Sequence, residues 1–144
     1  MRGLAGPLAL AAALLAGCGA QAPAGPVSPA ACQATDAHRV GSLQAIDADP
    51  AESTIRGLVD DGPTATAGRP FSVRWVIDAR KAGKQLHMRA IREGTDQIIG
   101  ATWTGSTAGD QAVFPARITF PAAGCWAADL SSGTADGEVV LRAD

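Results

Sequence analysis

The most constraining feature of this sequence is a run with a period of two. Phe71, Val73, Trp75 and Ile77 alternate with Ser72, Arg74 and Asp78, and Val76 is the only apolar residue out of phase. Successive side chains of an extended strand point to opposite sheet faces, so this pattern specifies a strand with one face buried. A helix would scatter the same residues around its circumference.

Other segments repeat the pattern more briefly. Leu86, Met88 and Ala90 alternate with Gln85, His87 and Arg89 within Lys84–Ile91. Ser53–Val59, Gln97–Trp103 and Val113–Phe120 supply further apolar segments, and Cys125–Leu130 with Glu138–Arg142 reads as a closing hairpin. Turn residues separate them: Asp60-Asp61-Gly62-Pro63, Gly105, Gly109 and Ser131-Ser132-Gly133. Ala-rich stretches such as Ala30–Ala37 have enough helical character for a single turn. About seven short strands, with a turn signal roughly every ten residues and no amphipathic helix, predict an all-β Greek-key sandwich.

Composition agrees with a packed domain: 47% of the 144 residues are hydrophobic and 18% are charged. The formal charge of −2 carries no basic footprint, so nucleic acid is not an expected partner. With no Asn, the chain has no N-glycosylation acceptor of the N-x-[ST] type.

The N-terminus is an address rather than part of the domain. Arg2 precedes a run without charge from Gly3 to Gly19, the n-region and h-region of a secretory signal. The run ends in Leu15-Ala16-Gly17-Cys18, which resembles the bacterial lipobox. The resemblance implies a signal peptide over residues 1–17 and a lipidated Cys18 as the first mature residue. It further implies a mature chain held on the extracytoplasmic face of the cell membrane. More than one acyl chain is needed for a stable hold, since each buried methylene contributes only ~0.8 kcal/mol. Residues 18–31, with Pro23, Pro26 and Pro29 among Ala, Gly and Ser, then read as an extended tether. The domain is expected over residues 32–144.

A second resemblance lies near the other end. Phe120-Pro121-Ala122-Ala123-Gly124-Cys125-Trp126, followed by a short strand, a Gly-containing turn and a Val-rich strand, is similar to the C-terminal half of small bacterial lipoproteins with immunoglobulin-like domains. It implies an immunoglobulin-like version of the sandwich and carries no catalytic residue to transfer.

With Cys18 lipidated, Cys32 and Cys125 remain, an even number in an oxidising compartment. A disulfide between them is expected; a redox pair and metal-binding thiols are the alternatives, and both lack the usual CxxC proximity. If Trp126, Ala128 and Leu130 face the core, Cys125 faces outward and can clamp the N-terminal segment across the sheet.

Catalytic and metal patterns are sparse. Ser106, in Gly105-Ser106-Thr107-Ala108-Gly109, lacks the G-x-S-x-G elbow, and the metalloprotease, P-loop and dinucleotide motifs do not occur. Asp60-Asp61 reads as a turn. His87 and Met88 raise an extracytoplasmic metal-handling role as the alternative function, but adjacent strand residues point to opposite faces. No catalytic residue, metal site or cofactor is therefore assigned. Three residues stand out for binding. Trp103 borders a Gly/Thr-rich loop, where it either caps the core or offers a stacking platform for a glycan or protein. Arg80 and Lys81 begin a basic run continued by Lys84, Arg89 and Arg92. The expected function is a non-enzymatic interaction module at the bacterial envelope, with an envelope protein or a cell-wall polymer as partner.

Overall fold

The computed structural model describes residues 32–144. The expected signal peptide (residues 1–17), the expected lipidation site Cys18 and the expected tether (residues 18–31) lie outside the described residues. The chain forms an all-β sandwich whose strands are β1 (Ala37–Val40), β2 (Leu43–Asp47), β3 (Arg56–Val59), β4 (Thr64–Ala65), β5 (Pro70–Asp78), β6 (Gln85–Arg92), β7 (Ile98–Thr104), β8 (Ser106–Ala108), β9 (Gln111–Thr119), β10 (Gly124–Ser132) and β11 (Ala135–Ala143). One 3₁₀ turn, Ala51–Ser53, interrupts them.

One sheet has the order β1-β2-β3-β5-β9-β8 and the other β4-β11-β10-β6-β7. Seven of the strands reproduce the immunoglobulin Greek key. β3, β5, β9 and β8 pair as strands A, B, E and D, while β6, β10 and β11 pair as C, F and G. β7 takes the C′ place beside β6, β4 runs parallel to the end of β11, and the β1–β2 hairpin extends the first sheet beyond β3. The pattern departs from antibody domains in its markers. Trp75 lies on the B strand and Trp126 on the F strand, and Cys125 of strand F has no cysteine opposite it on strand B.

The expected count of about seven strands is thus corrected to eleven among the described residues. β1, β2, β4 and β8 are two to five residues long, too short for alternation to register as a period. Two boundaries also move. Ser53 sits in the 3₁₀ turn, and the strand expected from it begins at Arg56. The helical turn expected near Ala30–Ala37 does not form over the described part, residues 32–36. Thr35 instead donates its N–H to the Val140 carbonyl at 2.9 Å, and its hydroxyl accepts the Val140 N–H at 2.8 Å. A strand edge offers this segment fixed partners that one isolated helical turn lacks.

The core lies between the two sheets. Phe71, Val73, Trp75 and Ile77 face it from β5, as the alternation requires, and Phe114, Ala116 and Ile118 join them from β9. The opposite layer is Leu86, Met88 and Ala90 of β6, Trp126, Ala128 and Leu130 of β10, and Val139 and Leu141 of β11. Ring pairing reinforces one end: Phe120 and Trp126 have centroids 5.4 Å apart at 41°.

Candidate functional site

The connections that follow β5 and β10 are held together as one structural unit at a single end of the sandwich. Ser132 Oγ, buried, donates to the Gln85 carbonyl at 2.7 Å and accepts the Gly83 N–H at 3.1 Å. The Lys81 carbonyl accepts the Thr134 N–H at 2.8 Å. In immunoglobulin terms these are the B–C and F–G connections, two of those that carry recognition in variable domains.

Arg80 and Lys81 both lie in the first of these connections, and the structure gives them different work. Arg80 folds back on Asp78, with Nη2 to Oδ2 at 2.9 Å and Nε to Oδ1 at 3.2 Å, and its own N–H donates to Oδ1 at 2.9 Å. The side-chain hydrogen bond from Arg80, then the backbone one, holds the Asp78 carboxyl down at about 2. Arg80 remains 87% exposed and is itself pushed further up by Asp78. Lys81 reaches across to the first sheet's side, where Nζ donates to the Glu52 carbonyl at 3.0 Å. Lys84 is exposed, and Arg89 lies on the outer face of the second sheet.

Trp103 is not brought to this pair. Its strand ends nearby, but the residue is half-buried at the sheet edge, paired in register with Leu86 and packed against the core. His87 and Met88 separate as alternation requires. His87 is exposed with Nδ1 3.0 Å from Thr102 Oγ1, while Met88 is buried. Ser106 is exposed at the start of β8, and Asp60 sits in the turn after β3, 3.7 Å from Arg74. Among the described residues, no group of three or more His, Cys, Asp or Glu is placed to hold a metal ion.

The same end carries a concavity that the sequence did not announce. A cleft of about 470 Å³ opens where the ends of β2 and β5 meet the starts of β3 and β9. Asp47, Arg56, Asp78, Asp110 and Gln111 form its polar wall, and Ala48, Ile55 and Ile77 contribute apolar surface. Asp47 is ion-paired with Arg56, and the His38 ring lies 3.7 Å away. Thr54, also in the lining, has φ +58°, in the left-handed region where a β-branched residue is rare. Such a conformation costs on the order of 1–3 kcal/mol and persists when its surroundings fix it. Ser53 does so: its Oγ accepts the Ile55 N–H at 3.2 Å and donates to the Ala48 carbonyl at 3.5 Å. The sequence holds no signal for this wall beyond turn-forming residues such as Asp49-Pro50, which say nothing about a cleft.

Chemically the cleft is two ion pairs, Asp47 with Arg56 and Asp78 with Arg80, beside the Asp110 carboxylate and the Gln111 amide, and among the described residues Asp110 has no ion-pair partner. Asp78, held near 2, is a poor proton carrier at neutral pH, because efficient general acid–base groups titrate near the working pH. The arrangement suits hydrogen bonding to a polar partner.

Cys32 and Cys125 form a disulfide with Cα atoms 5.4 Å apart, within the usual range. Trp126 is fully buried toward the core, and Cys125 points to the outer face, where the N-terminal segment covers it to 6% exposure. The bridge lies seven residues before Ser132 on β10, about 23 Å from the clustered connections at ~3.3 Å per residue. Comparison with protein-family models and with curated proteins finds no match to this chain.

Proposed function

We propose that this protein is a lipid-anchored, non-enzymatic binding module on the outer face of a bacterial cell membrane. Anchoring rests on the lipobox-like Leu15-Ala16-Gly17-Cys18. The observation that carries the binding role is the separation of the two ends. The disulfide fastens the segment that follows the tether near the start of β10, and the mixed-charge cleft with the exposed Arg80 lies at the far end of the same strand. A chain held at one end presents the other away from the membrane. The two ion pairs of the cleft rim, with the Asp110 carboxylate and the Gln111 amide beside them, favour a polar envelope protein or a cell-wall polymer as partner, held mainly by hydrogen bonds.

The test uses the full chain in its own membrane. A photoreactive residue at Ala51, an exposed position lining the cleft, should give crosslinked products that are missing when the same residue replaces Ala123 near the disulfide. Arg80→Glu should remove those products, and Cys18→Ala should remove lipid labelling and retention at the membrane. Absence of any product from position 51 in a correctly lipidated protein would overturn the binding role. Unchanged lipid labelling of Cys18→Ala would overturn the anchor.

A further inference from the structure

We propose that β7 is a self-association edge, through which two copies of this chain pair antiparallel about a two-fold axis at Ala101. Open strand edges invite pairing, and folds blunt them with shortness, charge, proline or cover. Among the described residues, three of the four sheet edges are blunted in these ways. β1 has four residues including His38 and Arg39, β8 has three, and β4 has two. The length of β11 beyond β4 is covered by Thr35 at Val140 and by Asp49 at Glu138. β7 differs. It is seven residues long, reads Ile-Ile-Gly-Ala-Thr-Trp-Thr without charge or proline, and pairs one-to-one with β6 without a bulge.

The direction of its backbone groups fixes the register. Arg92 donates to the Gln97 carbonyl at 2.9 Å, and Gly105 donates to the Lys84 carbonyl at 3.2 Å. Antiparallel alternation therefore aims Ile99, Ala101 and Trp103 at β6, and turns the N–H and C=O groups of Ile98, Gly100, Thr102 and Thr104 outward. Those outward groups have no backbone partner among the described residues. A register centred on Ala101 sets Ile98 against the partner's Thr104 and Gly100 against the partner's Thr102. Each such pair exchanges two hydrogen bonds, so all four residues of each strand are satisfied together. Shifting to the next in-phase register leaves an end residue of each strand unmatched.

Side chains fit the same register. The half-buried Ile99 and Trp103 lie on one face, and each meets the other type across the axis, covering the surface left open at the sheet edge. At the axis itself, Ala101 meets the partner's Ala101 in the close, non-hydrogen-bonded position, where a small residue fits. Ile98, 51% exposed, lies on the outer face at the end of the pairing. Charge decides for a second copy over a charged peptide. A two-fold strand pair brings residues near the axis against their own kind, and β7 has no charge to repel itself. The axis stands normal to the sheet, so both Cys32–Cys125 bridges fall on one side of the joined sheet. On the anchoring reading above, both tethers leave from that side; the pairing itself does not rest on that reading.

The experiment is cysteine crosslinking in the full-length protein, in membranes and again in the unlipidated Cys18→Ala form. Under mild oxidation Ala101→Cys should give a disulfide-linked homodimer, because the facing Cα atoms are about 4.5 Å apart. Ile98→Cys alone should give none, its counterpart being six residues, or about 20 Å, along the pair. Ile98→Cys with Thr104→Cys, both at exposed positions, should restore the dimer. Adding Thr102→Pro, which removes an outward N–H and none facing β6, should lower the yield at least tenfold while melting stays cooperative. A monomer in both cysteine designs, equal crosslinking of Ile98→Cys alone, a product with another protein, or indifference to Thr102→Pro would each overturn the proposal. Dimer in the Cys18→Ala form together with failed lipid labelling would separate this inference from the anchor.

Discussion

Two buried tryptophans show how much depends on where one N–H ends. Trp126 Nε1 donates to the Ala122 carbonyl at 3.1 Å, whereas Trp75 Nε1 is buried with no hydrogen-bond partner among the described residues. Replacing Trp126 with Phe removes volume and strands a carbonyl; replacing Trp75 with Phe removes volume and relieves an unmet donor. An unsatisfied buried polar group costs about 1–3 kcal/mol. Trp126→Phe should therefore destabilise by about 1–2 kcal/mol more than Trp75→Phe in urea unfolding. Asp78 supplies a second prediction. Its carboxyl lies at about 2 in the folded chain against an ordinary 3.8, because the Arg80 guanidinium and N–H bind the ionised form. A depressed carboxyl stabilises the fold fully above its ordinary value, and that stabilisation disappears as pH falls through the folded value. The unfolding midpoint should thus decline between pH 3.8 and about 2, and Asp78→Asn should flatten that part of the profile. Both roles were half legible in the sequence. Alternation placed Trp75 and Trp126 in the core, but which indole would find a carbonyl depends on the Pro121–Gly124 connection folding back over the ring.

At the scale of elements, the hairpin of β10 and β11 is joined to the connection after β5 by a close backbone approach. Gly133 has φ +61°, and a Cβ there would stand 2.3 Å from the Lys81 carbonyl oxygen and 2.6 Å from the Gly83 nitrogen. Both obstacles are main chain, which cannot turn aside as a side chain does. Gly133→Ala should destabilise by about 2–3 kcal/mol or more, as overpacking and left-handed strain combine. It should also raise hydrogen exchange at the Thr134 and Gly83 amides, which lock the two connections together. β5 and β6 were readable because eight or so alternating residues make a period, and β7, β9, β10 and β11 because apolar segments stood between turn residues. The β1–β2 hairpin was not, since His38-Arg39-Val40 and Leu43-Gln44-Ala45 reveal a common face only once paired. The cleft was illegible for a related reason: Asp47, Asp78 and Asp110 are far apart in sequence, and strand order brings them to one wall.

For the whole molecule, the Cys32–Cys125 bridge closes almost the entire domain, with a sequence separation of 93. A loop of that size is worth roughly 4–5 kcal/mol in the chain-entropy model, and measured losses more often fall at about 2–4. Cys32→Ser should lower the unfolding free energy by about that amount, and reductant should destabilise the unaltered chain while leaving the Cys32→Ser variant unmoved. Far-ultraviolet circular dichroism should stay β-type, because the core between the sheets does not include the bridge. Sequence alone determined the all-β class, since the period of a strand is written in consecutive residues. It determined as well that Cys32 and Cys125 were the cysteines left over for each other once Cys18 is assigned to lipid. The tertiary structure decided what depends on residues remote in sequence: among the described residues, eleven strands in two sheets, the disulfide at one end and the cleft at the other, and β7 as the edge that none of them guards. Period is a property of neighbours along the chain, whereas a cleft, a shared carbonyl or an open edge depends on which strands lie side by side.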